Sequence, residues 1–230
     1  MKEHWTENYL NYPLSWDNLY KGAKTKEVIK LKVNSYKSFL FGSTCMKLGP
    51  LSFIFKSHSK YNINLSDCIK IESSNIICNT HDLPLQNNSI DVSYIIYQLD
   101  YSFYPQKLLK EIDRVMSTDG TLMIVGFNPF SVNYLLNFSR AINKKIRLGF
   151  YTPYTLKDWL FFLNYEVIVF ENFFVLNQFS KKFKCVTDKL EYHCQLFGNS
   201  YFLIAKKRTY PLTPIKAGNK NISYRPVVLS

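Results

Sequence analysis

The segment from Ile90 to Gly126 constrains the fold more than any other part of the chain. Ile90 to Tyr97 is a nearly continuous run of β-branched and aromatic residues, which is typical of a strand buried on both faces of a parallel sheet. Gln106 to Met116 then repeats apolar residues at helical spacing, the turn Ser117 to Gly120 follows, and Thr121 to Gly126 is another apolar run. This succession predicts a βαβ unit, which crosses over right-handedly into a parallel sheet.

The flanking chain predicts further elements around this unit. Apolar residues at roughly helical spacing indicate one or two leading helices between Trp16 and Ser35. Ser35 to Gly42 has the composition of a short strand, and Met46 to Lys56 is compatible with a helix near Pro50. We also expect a helix from its cap Thr155 to Leu163 and strands at Tyr61 to Leu65, Ile76 to Cys78, Tyr165 to Val175 and Ser200 to Lys206. The last two strands after a βα series predict an antiparallel end of the sheet.

The length of 230 residues suits one α/β domain with a single core. We expect an N-terminal helical segment over residues 1–35 and the main domain over residues 36–207. The remainder, residues 208–230, contains Pro211, Pro214 and Pro226 and is expected to be an irregular tail.

Charge and cysteine content bear on partners and compartment. The net charge of +12 allows a nucleic-acid partner, because Lys and Arg release counterions from phosphate backbones. Lysine is nevertheless spread along the chain among many Asn, Ile and Tyr, a mixture that an A/T-rich coding sequence also produces. The five cysteines and four histidines lack metal-ligand spacing, so we expect reduced thiols and no metal. The sequence has neither a signal-peptide core nor an apolar run of about 20 residues, which predicts a cytoplasmic protein without a membrane segment.

A longer sequence pattern spans Leu83 to Asn128. It comprises the turn Leu83-Pro84-Leu85, a polar loop into Ser89-Ile90-Asp91, the helix end Glu111 to Met116, and the turn Asp119-Gly120 before a strand. This order and spacing resembles the small-molecule branch of class I S-adenosylmethionine-dependent methyltransferases, in which the parts are an L-P-F turn, S-F-D, E-x-x-R-V-L and K-P-G-G. The string Gly126-Phe127-Asn128-Pro129 is similar to a little-characterised bacterial subgroup of that family.

The resemblance implies a fold and a cofactor. The fold would be α/β, a three-layer Rossmann-like arrangement with a mostly parallel seven-stranded sheet in the order 3-2-1-4-5-7-6 and helices on both faces. The cofactor would be S-adenosyl-L-methionine, lying over the carboxyl ends of strands one to four, where open α/β sheets bind ligands. The methyl acceptor would be a small molecule.

The resemblance also implies cofactor contacts early in the chain. The family has a glycine-rich turn because the backbone approaches the methionine part closely, and here only Gly42 and Gly49 remain of that pattern. We take Gly42 with the amides of Ser43 and Thr44 as the contact. An acidic residue after the second strand accepts hydrogen bonds from the ribose hydroxyls in this family, and Asp67 is the candidate here. The same Asp67 is equally compatible with an ordinary turn.

Three further positions complete the expected site. Alignment on the Leu83 turn puts Asn79, followed by Thr80, where the family has an Asp that meets the adenine amino group. Tyr97 ends the fourth strand and is a further candidate for the cofactor site. Its phenol could shape the pocket or contact the acceptor, or it could be a core residue. We expect Asp91 to be structural. Asn128-Pro129-Phe130 is similar to the amine-binding motif of nucleic-acid methyltransferases but follows the fifth strand instead of the fourth, so we assign it no such role.

Three functions remain open from the sequence. The first is S-adenosylmethionine-dependent methyl transfer to a small molecule, which the Leu83 to Asn128 pattern supports. The second is a non-catalytic relative that keeps the fold. The loss of most glycines from the glycine-rich turn favours this function. The third is an RNA-directed methyltransferase or RNA-binding protein, which the positive charge alone favours.

Overall fold

One seven-stranded sheet organises the protein, and the computed structural model describes residues 13–67, 74–143, 148–173 and 198–208. The strand order β3-β2-β1-β4-β5-β7-β6 is the one that the resemblance implies. The strands are β1 (Thr44–Leu48), β2 (Tyr61–Ser66), β3 (Ile76–Ile77), β4 (Ile90–Ile96), β5 (Met116–Phe127), β6 (Tyr165–Phe173) and β7 (Ser200–Lys207). The helices are α1 (Gly22–Ser35), α2 (Gln98–Tyr101), α3 (Pro105–Val115), α4 (Val132–Asn143) and α5 (Pro153–Phe162).

The predicted βαβ unit forms the centre of the sheet. Strands β1 to β5 pair in parallel, and β7 runs antiparallel between β5 and β6, as the two late strands predict. The expected tight turn before β5 is instead part of the strand. Ile90 pairs with Met116 but Val92 pairs with Thr121, so the intervening residues of β5 bulge out, with Asp119 at a φ of 61°.

Two apolar layers cover the two faces of the sheet, because successive strand residues point to opposite sides. On one face, Cys45, Tyr94 and Met123 pack with residues of α1 and α4. On the other face, Met46 and Ile124 pack with residues of α3 and α5. The three-layer arrangement with helices on both faces is therefore confirmed.

The leading helix forms, but with a different buried face from the one that the apolar pattern predicts. The side chains of α1 that are buried include Thr25, Ile29 and Val33, whereas Leu31 is 67% exposed. Trp16 is buried in a separate 3₁₀ turn, Trp16–Asn18. The apolar pattern therefore runs across two elements, between which the chain changes direction at Lys21. Residues 1–12 of the predicted N-terminal segment and residues 209–230 of the predicted tail lie outside the described part.

The strand predicted at Ser35 to Gly42 and the helix considered at Met46 to Lys56 are wrong. The chain between α1 and β1 forms turns, with Phe41 78% exposed, and the first strand begins at Thr44. This strand escaped prediction because it is short and contains a lysine. After it, only the 3₁₀ turn Pro50–Ser52 forms before the chain reaches β2.

The later elements follow the sequence closely. Helix α5 begins at Pro153, and its cap is Thr152, whose hydroxyl accepts a hydrogen bond from the Thr155 amide; Thr155 itself is not the cap. Strands β6 and β7 lie within one or two residues of the predicted limits. Helix α4 was not predicted.

Candidate cofactor and acceptor sites at the carboxyl edge of the sheet

The carboxyl ends of β1 to β4 meet at one edge of the sheet because these strands are parallel. The residues that follow them are Gly49, Asp67, Cys78 and Tyr97. Open α/β sheets bind ligands at this edge. The candidate site is therefore built from the turns that begin at these residues.

The turn after β1 is formed by Gly49 and the 3₁₀ turn that follows it. Gly49 has a φ of 82°, a backbone conformation that residues with a side chain rarely adopt. Its amide donates a hydrogen bond to the Leu65 carbonyl at 2.9 Å. The buried Ser52 hydroxyl donates to the Gly49 carbonyl at 2.6 Å and fixes the turn. Gly49 thus occupies the place where the family has its glycine-rich turn, and the proline at position 50 removes one amide donor from it.

Gly42, Ser43 and Thr44, the predicted methionine contact, lie at the opposite edge of the sheet. They precede β1, and the Ser43 and Thr44 amides donate to the Asp91 carboxylate at 2.8 and 3.0 Å. A Cβ at position 42 would collide with the Asp91 side chain, which explains this glycine without a ligand. The assignment of these residues to the cofactor turn is corrected. The expected turn follows the first strand, and this strand begins at Thr44, not at Ser35.

Asp91 is structural, as the sequence suggested. Besides the two amides, its carboxylate accepts a hydrogen bond from the Ser117 hydroxyl at 3.1 Å. These hydrogen bonds lower the pKa of the Asp91 carboxyl against the opposing effect of burial. Asp91 thereby joins the starts of β1, β4 and β5.

Asp67 lies directly after β2, at the carboxyl edge. Burial raises the pKa of its carboxyl above the ordinary value. Its charge is felt by Cys78, at the end of the neighbouring β3, where burial together with Asp67 and Asp82 raises the pKa of the thiol to about 11. A half-buried carboxylate at this point is suited to accept hydrogen bonds from a ligand's hydroxyls.

Asn79 and Thr80 form the turn after β3. The Asn79 Oδ1 accepts a hydrogen bond from the His81 amide at 2.9 Å, and Thr80 is 6% exposed. An amide oxygen has two lone pairs, so Asn79 keeps one acceptor position for a ligand amine. Thr80, the other residue predicted at this turn, has little exposed surface to offer a ligand.

Tyr97, the predicted contact at the end of β4, is a core residue. Its ring stacks on Phe127 with centroids 4.0 Å apart, and its hydroxyl shares a hydrogen bond with Ser200 at 2.9 Å. Tyr97 is fully buried. Its candidacy as a cofactor contact is corrected accordingly: the left-handed backbone at this residue, with a φ of 57°, turns the side chain into the core.

A buried carboxyl close by, that of Asp100, was missed by the sequence analysis. Asp100 is 2% exposed in α2, and its Oδ2 accepts a hydrogen bond from the Phe127 amide at 3.3 Å. Burial raises the pKa of this carboxyl from 3.8 to about 8. The only hint in the sequence is an acidic residue directly after an apolar strand and among aromatic residues.

A cavity of about 600 Å³ opens between the N-termini of α3 and α5. Both N-termini lie at the carboxyl edge, because each helix returns the chain to the start of the next strand. Aromatic rings dominate the wall, accompanied by Lys107 and the Thr152 and Thr155 side chains. The aromatic residues of the wall are Phe103, Tyr104, Phe150, Tyr151 and Trp159.

The conspicuous E-x-x-R part of the sequence pattern holds the Leu83 turn onto α3. Arg114 donates to the Leu83 and Leu85 carbonyls at 2.9 and 3.0 Å and pairs with Glu111. Glu111 in turn accepts a hydrogen bond from the Leu83 amide at 2.8 Å. Asp113 pairs instead with Lys207 at 2.9 Å. These residues therefore stabilise the fold and do not face the site.

Two other kinds of site are not found in the described residues. No group of three or more His, Cys, Asp or Glu side chains within those ranges could hold a metal ion. No helix of the same ranges is long and apolar enough to cross a membrane.

Comparisons with known proteins agree with this architecture. Residues 58–124 match the family described as "Methyltransferase domain". Along the whole chain, the uncharacterized protein YafS of Escherichia coli K12 is 28% identical, over 94% of this chain and 90% of that protein.

Two solved structures show the same fold. A SAM-dependent methyltransferase from Archaeoglobus fulgidus has a TM-score of 0.55 and 17% identity, covering 79% of this chain and 94% of that one. The [4+2]-cyclase SpnF has a TM-score of 0.54 and 12% identity, covering 80% of this chain and 81% of that one. The chain is thus similar to the methyltransferase family over residues 58–124 and shares its fold with a solved S-adenosylmethionine-dependent methyltransferase.

The residues at the carboxyl edge fit this cofactor. The Gly49 turn has the positive φ that a close backbone approach calls for, Asp67 supplies an acceptor at the end of β2, and Asn79 keeps an acceptor position at the end of β3. These three turns follow adjacent strands, in the order in which the family resemblance assigns the methionine, ribose and adenine parts.

Proposed function

We propose that this chain transfers the methyl group of S-adenosylmethionine to a small molecule held in the cavity between α3 and α5. The observation that carries the proposal is that this aromatic cavity lies at the same edge of the sheet as Gly49, Asp67 and Asn79. Cofactor and acceptor would then meet over the ends of β1 and β4.

Each group of residues has a separate task in this proposal. The cofactor supplies an electrophilic methyl group on a sulfonium, and its sulfur leaves as a neutral thioether. The Gly49 turn holds the methionine part, Asp67 accepts hydrogen bonds from the ribose and Asn79 accepts one from the adenine amine. The aromatic wall positions the acceptor in line and excludes water, which is the main requirement of a displacement without a covalent intermediate.

The cavity also bears on the acceptor's chemistry. A wall of five aromatic rings suits a molecule with a flat or apolar body, since such pockets bury most of a ligand against apolar surface. Lys107 at the rim could meet an acidic group of that molecule.

One observation favours a non-catalytic role instead. The Trp16 ring packs edge-on against Phe55 and Tyr97, with centroids 5.9 and 6.2 Å apart, beside the ends of β1 and β4. Together with the proline at position 50, this packing leaves less space for the methionine part of the cofactor. SpnF, described as a [4+2]-cyclase, has a similar fold, and one fold can carry more than one activity.

Calorimetry with S-adenosylhomocysteine tests the proposal. We expect saturable binding by the wild-type chain, followed by transfer of labelled methyl from S-adenosylmethionine to a small-molecule fraction. Absence of binding would overturn the cofactor assignment. Binding without transfer to any acceptor fraction would favour the non-catalytic role.

A further inference from the structure

Lys47 is a buried lysine at the carboxyl end of β1. Its exposed fraction is 7%, although lysine is almost never buried without a partner. In the part of the chain that the structure describes, Lys47 makes no ion pair and no hydrogen bond with its ammonium group. Burial lowers the pKa of that group, and the Cys45 thiol opposes this only in part. An ammonium ion in this environment costs stability unless a ligand compensates for it.

The position of Lys47 in the sheet points to where such a ligand would lie. Lys47 is followed by Leu48, the last residue of β1, and then by the Gly49 turn. Its neighbours across the sheet are Asn64 on β2 and the buried Tyr94 on β4. An extended lysine side chain is longer than the strand rise of about 3.3 Å per residue, so the ammonium can reach the level of Gly49.

The face of the sheet on which Lys47 lies also bears on where its ligand would bind. Strand residues alternate, so Lys47 shares its face with Cys45, which packs in the cluster with Trp16, Leu51 and Phe55. The buried Trp16 Nε1 also has no hydrogen-bond partner. Among the described residues, a lysine without a counter-ion and an indole donor without an acceptor therefore belong to the same face of the sheet.

We propose that Lys47 binds the carboxylate of the cofactor's methionine part. This inference rests on the proposed function, which places the methionine part at the Gly49 turn. A carboxylate is the anionic group that this end of the cofactor carries, and a charge-assisted hydrogen bond to it would satisfy an ammonium that the described residues leave unpaired.

Two ligands that differ only in this carboxylate test the inference. S-adenosylhomocysteine and its decarboxylated analogue are titrated calorimetrically into the wild-type chain and into Lys47→Met, a change that keeps the length and apolar stem of the side chain. Lys56→Met serves as the matched control, because Lys56 is exposed on the loop after the same turn. Thermal denaturation checks that each variant is folded.

We expect the wild-type chain and Lys56→Met to bind S-adenosylhomocysteine about 10- to 100-fold more tightly than the decarboxylated analogue. Lys47→Met should lose this preference while it still binds the analogue as the wild-type chain does. Equal wild-type affinities for the two ligands, or a preference that persists in Lys47→Met, would overturn the inference while leaving cofactor binding intact. If the wild-type chain binds neither ligand, the proposed function itself fails and this inference fails with it. Even if Lys47→Met does not fold, equal wild-type affinities for the two ligands would overturn the inference.

Discussion

The Arg114 guanidinium donates a hydrogen bond across 2.9 Å to the Leu83 carbonyl, 31 residues earlier in the chain. Through this bond the end of α3 holds the turn that precedes β4. The first turn of the family-like sequence pattern and its helix end are thus in direct contact, and their spacing is maintained by the fold. The candidate site lies elsewhere, on turns that follow the strands.

Replacing Arg114 by Met should destabilise the protein by about 1–3 kcal/mol, since the Leu83 and Leu85 carbonyls and the Glu111 carboxylate lose their shared donor. Urea denaturation would measure this loss. Lys110→Met is the control, because Lys110 is exposed on the same helix. Cofactor affinity should stay unchanged in the folded variant. Equal stability of the two variants would contradict the structural role.

Gly126→Ala should destabilise the protein by about 1–3 kcal/mol through overpacking. A Cβ at position 126 would collide with the phenol ring and hydroxyl of Tyr201, which is fully buried on the neighbouring β7. A double-mutant cycle with Tyr201→Leu would measure the coupling. We expect the double variant to lose less stability than the sum of the two single changes; strict additivity would show that Tyr201 is not the obstacle.

Asp100 should make stability fall as the pH rises from about 4 to about 8. The pKa of its carboxyl is about 8 in the folded protein and near its ordinary 3.8 in the unfolded chain, so between these values only the folded state holds the proton. Its stabilising contribution is complete below pH 3.8 and is lost as the pH passes 8. Asp100→Asn imitates the protonated carboxyl and does not titrate.

The melting temperatures of both proteins between pH 5 and pH 9 would test this dependence. The difference between the two should be smallest at the acidic end and should grow in favour of the variant by several degrees towards the alkaline end. A constant difference across the whole range would mean that Asp100 is ionised throughout.

Asp67→Asn should weaken binding of S-adenosylhomocysteine about 10-fold or more, because a neutral amide accepts less strongly from ribose hydroxyls than a carboxylate does. Asp82→Asn is the matched control, since Asp82 is exposed on a nearby turn. Calorimetry at neutral pH measures both variants. If the two bind as the wild-type chain does, Asp67 is an ordinary turn residue, which is the alternative that the sequence left open.

Much of the site lay beyond what the sequence could predict, and the first strand shows why. Ser35 to Gly42 is the more strand-like of two neighbouring segments, yet Thr44–Leu48 forms β1 because β2 and β4 pair with it on both sides. That shift moved the cofactor turn from Gly42 to Gly49. The register of pairing is a property of three strands at once, and no local pattern contains it.

The sequence by itself determined the βαβ unit, the sheet order implied by the family resemblance, and Asp67 and Asn79 as residues that follow strands. Continuous apolar runs and turn residues encode the βαβ unit and the strand ends locally, whereas the sheet order was implied only by the resemblance. Only the tertiary structure decided which polar groups are buried and what they contact: Tyr97 in the core, Asp91 on the Ser43 and Thr44 amides, Asp100 with a pKa raised by burial, and Lys47 without a counter-ion among the described residues. Burial and pairing depend on distant segments packing together, so the charge state of a side chain and its role follow from the fold and cannot be seen in its neighbours along the chain.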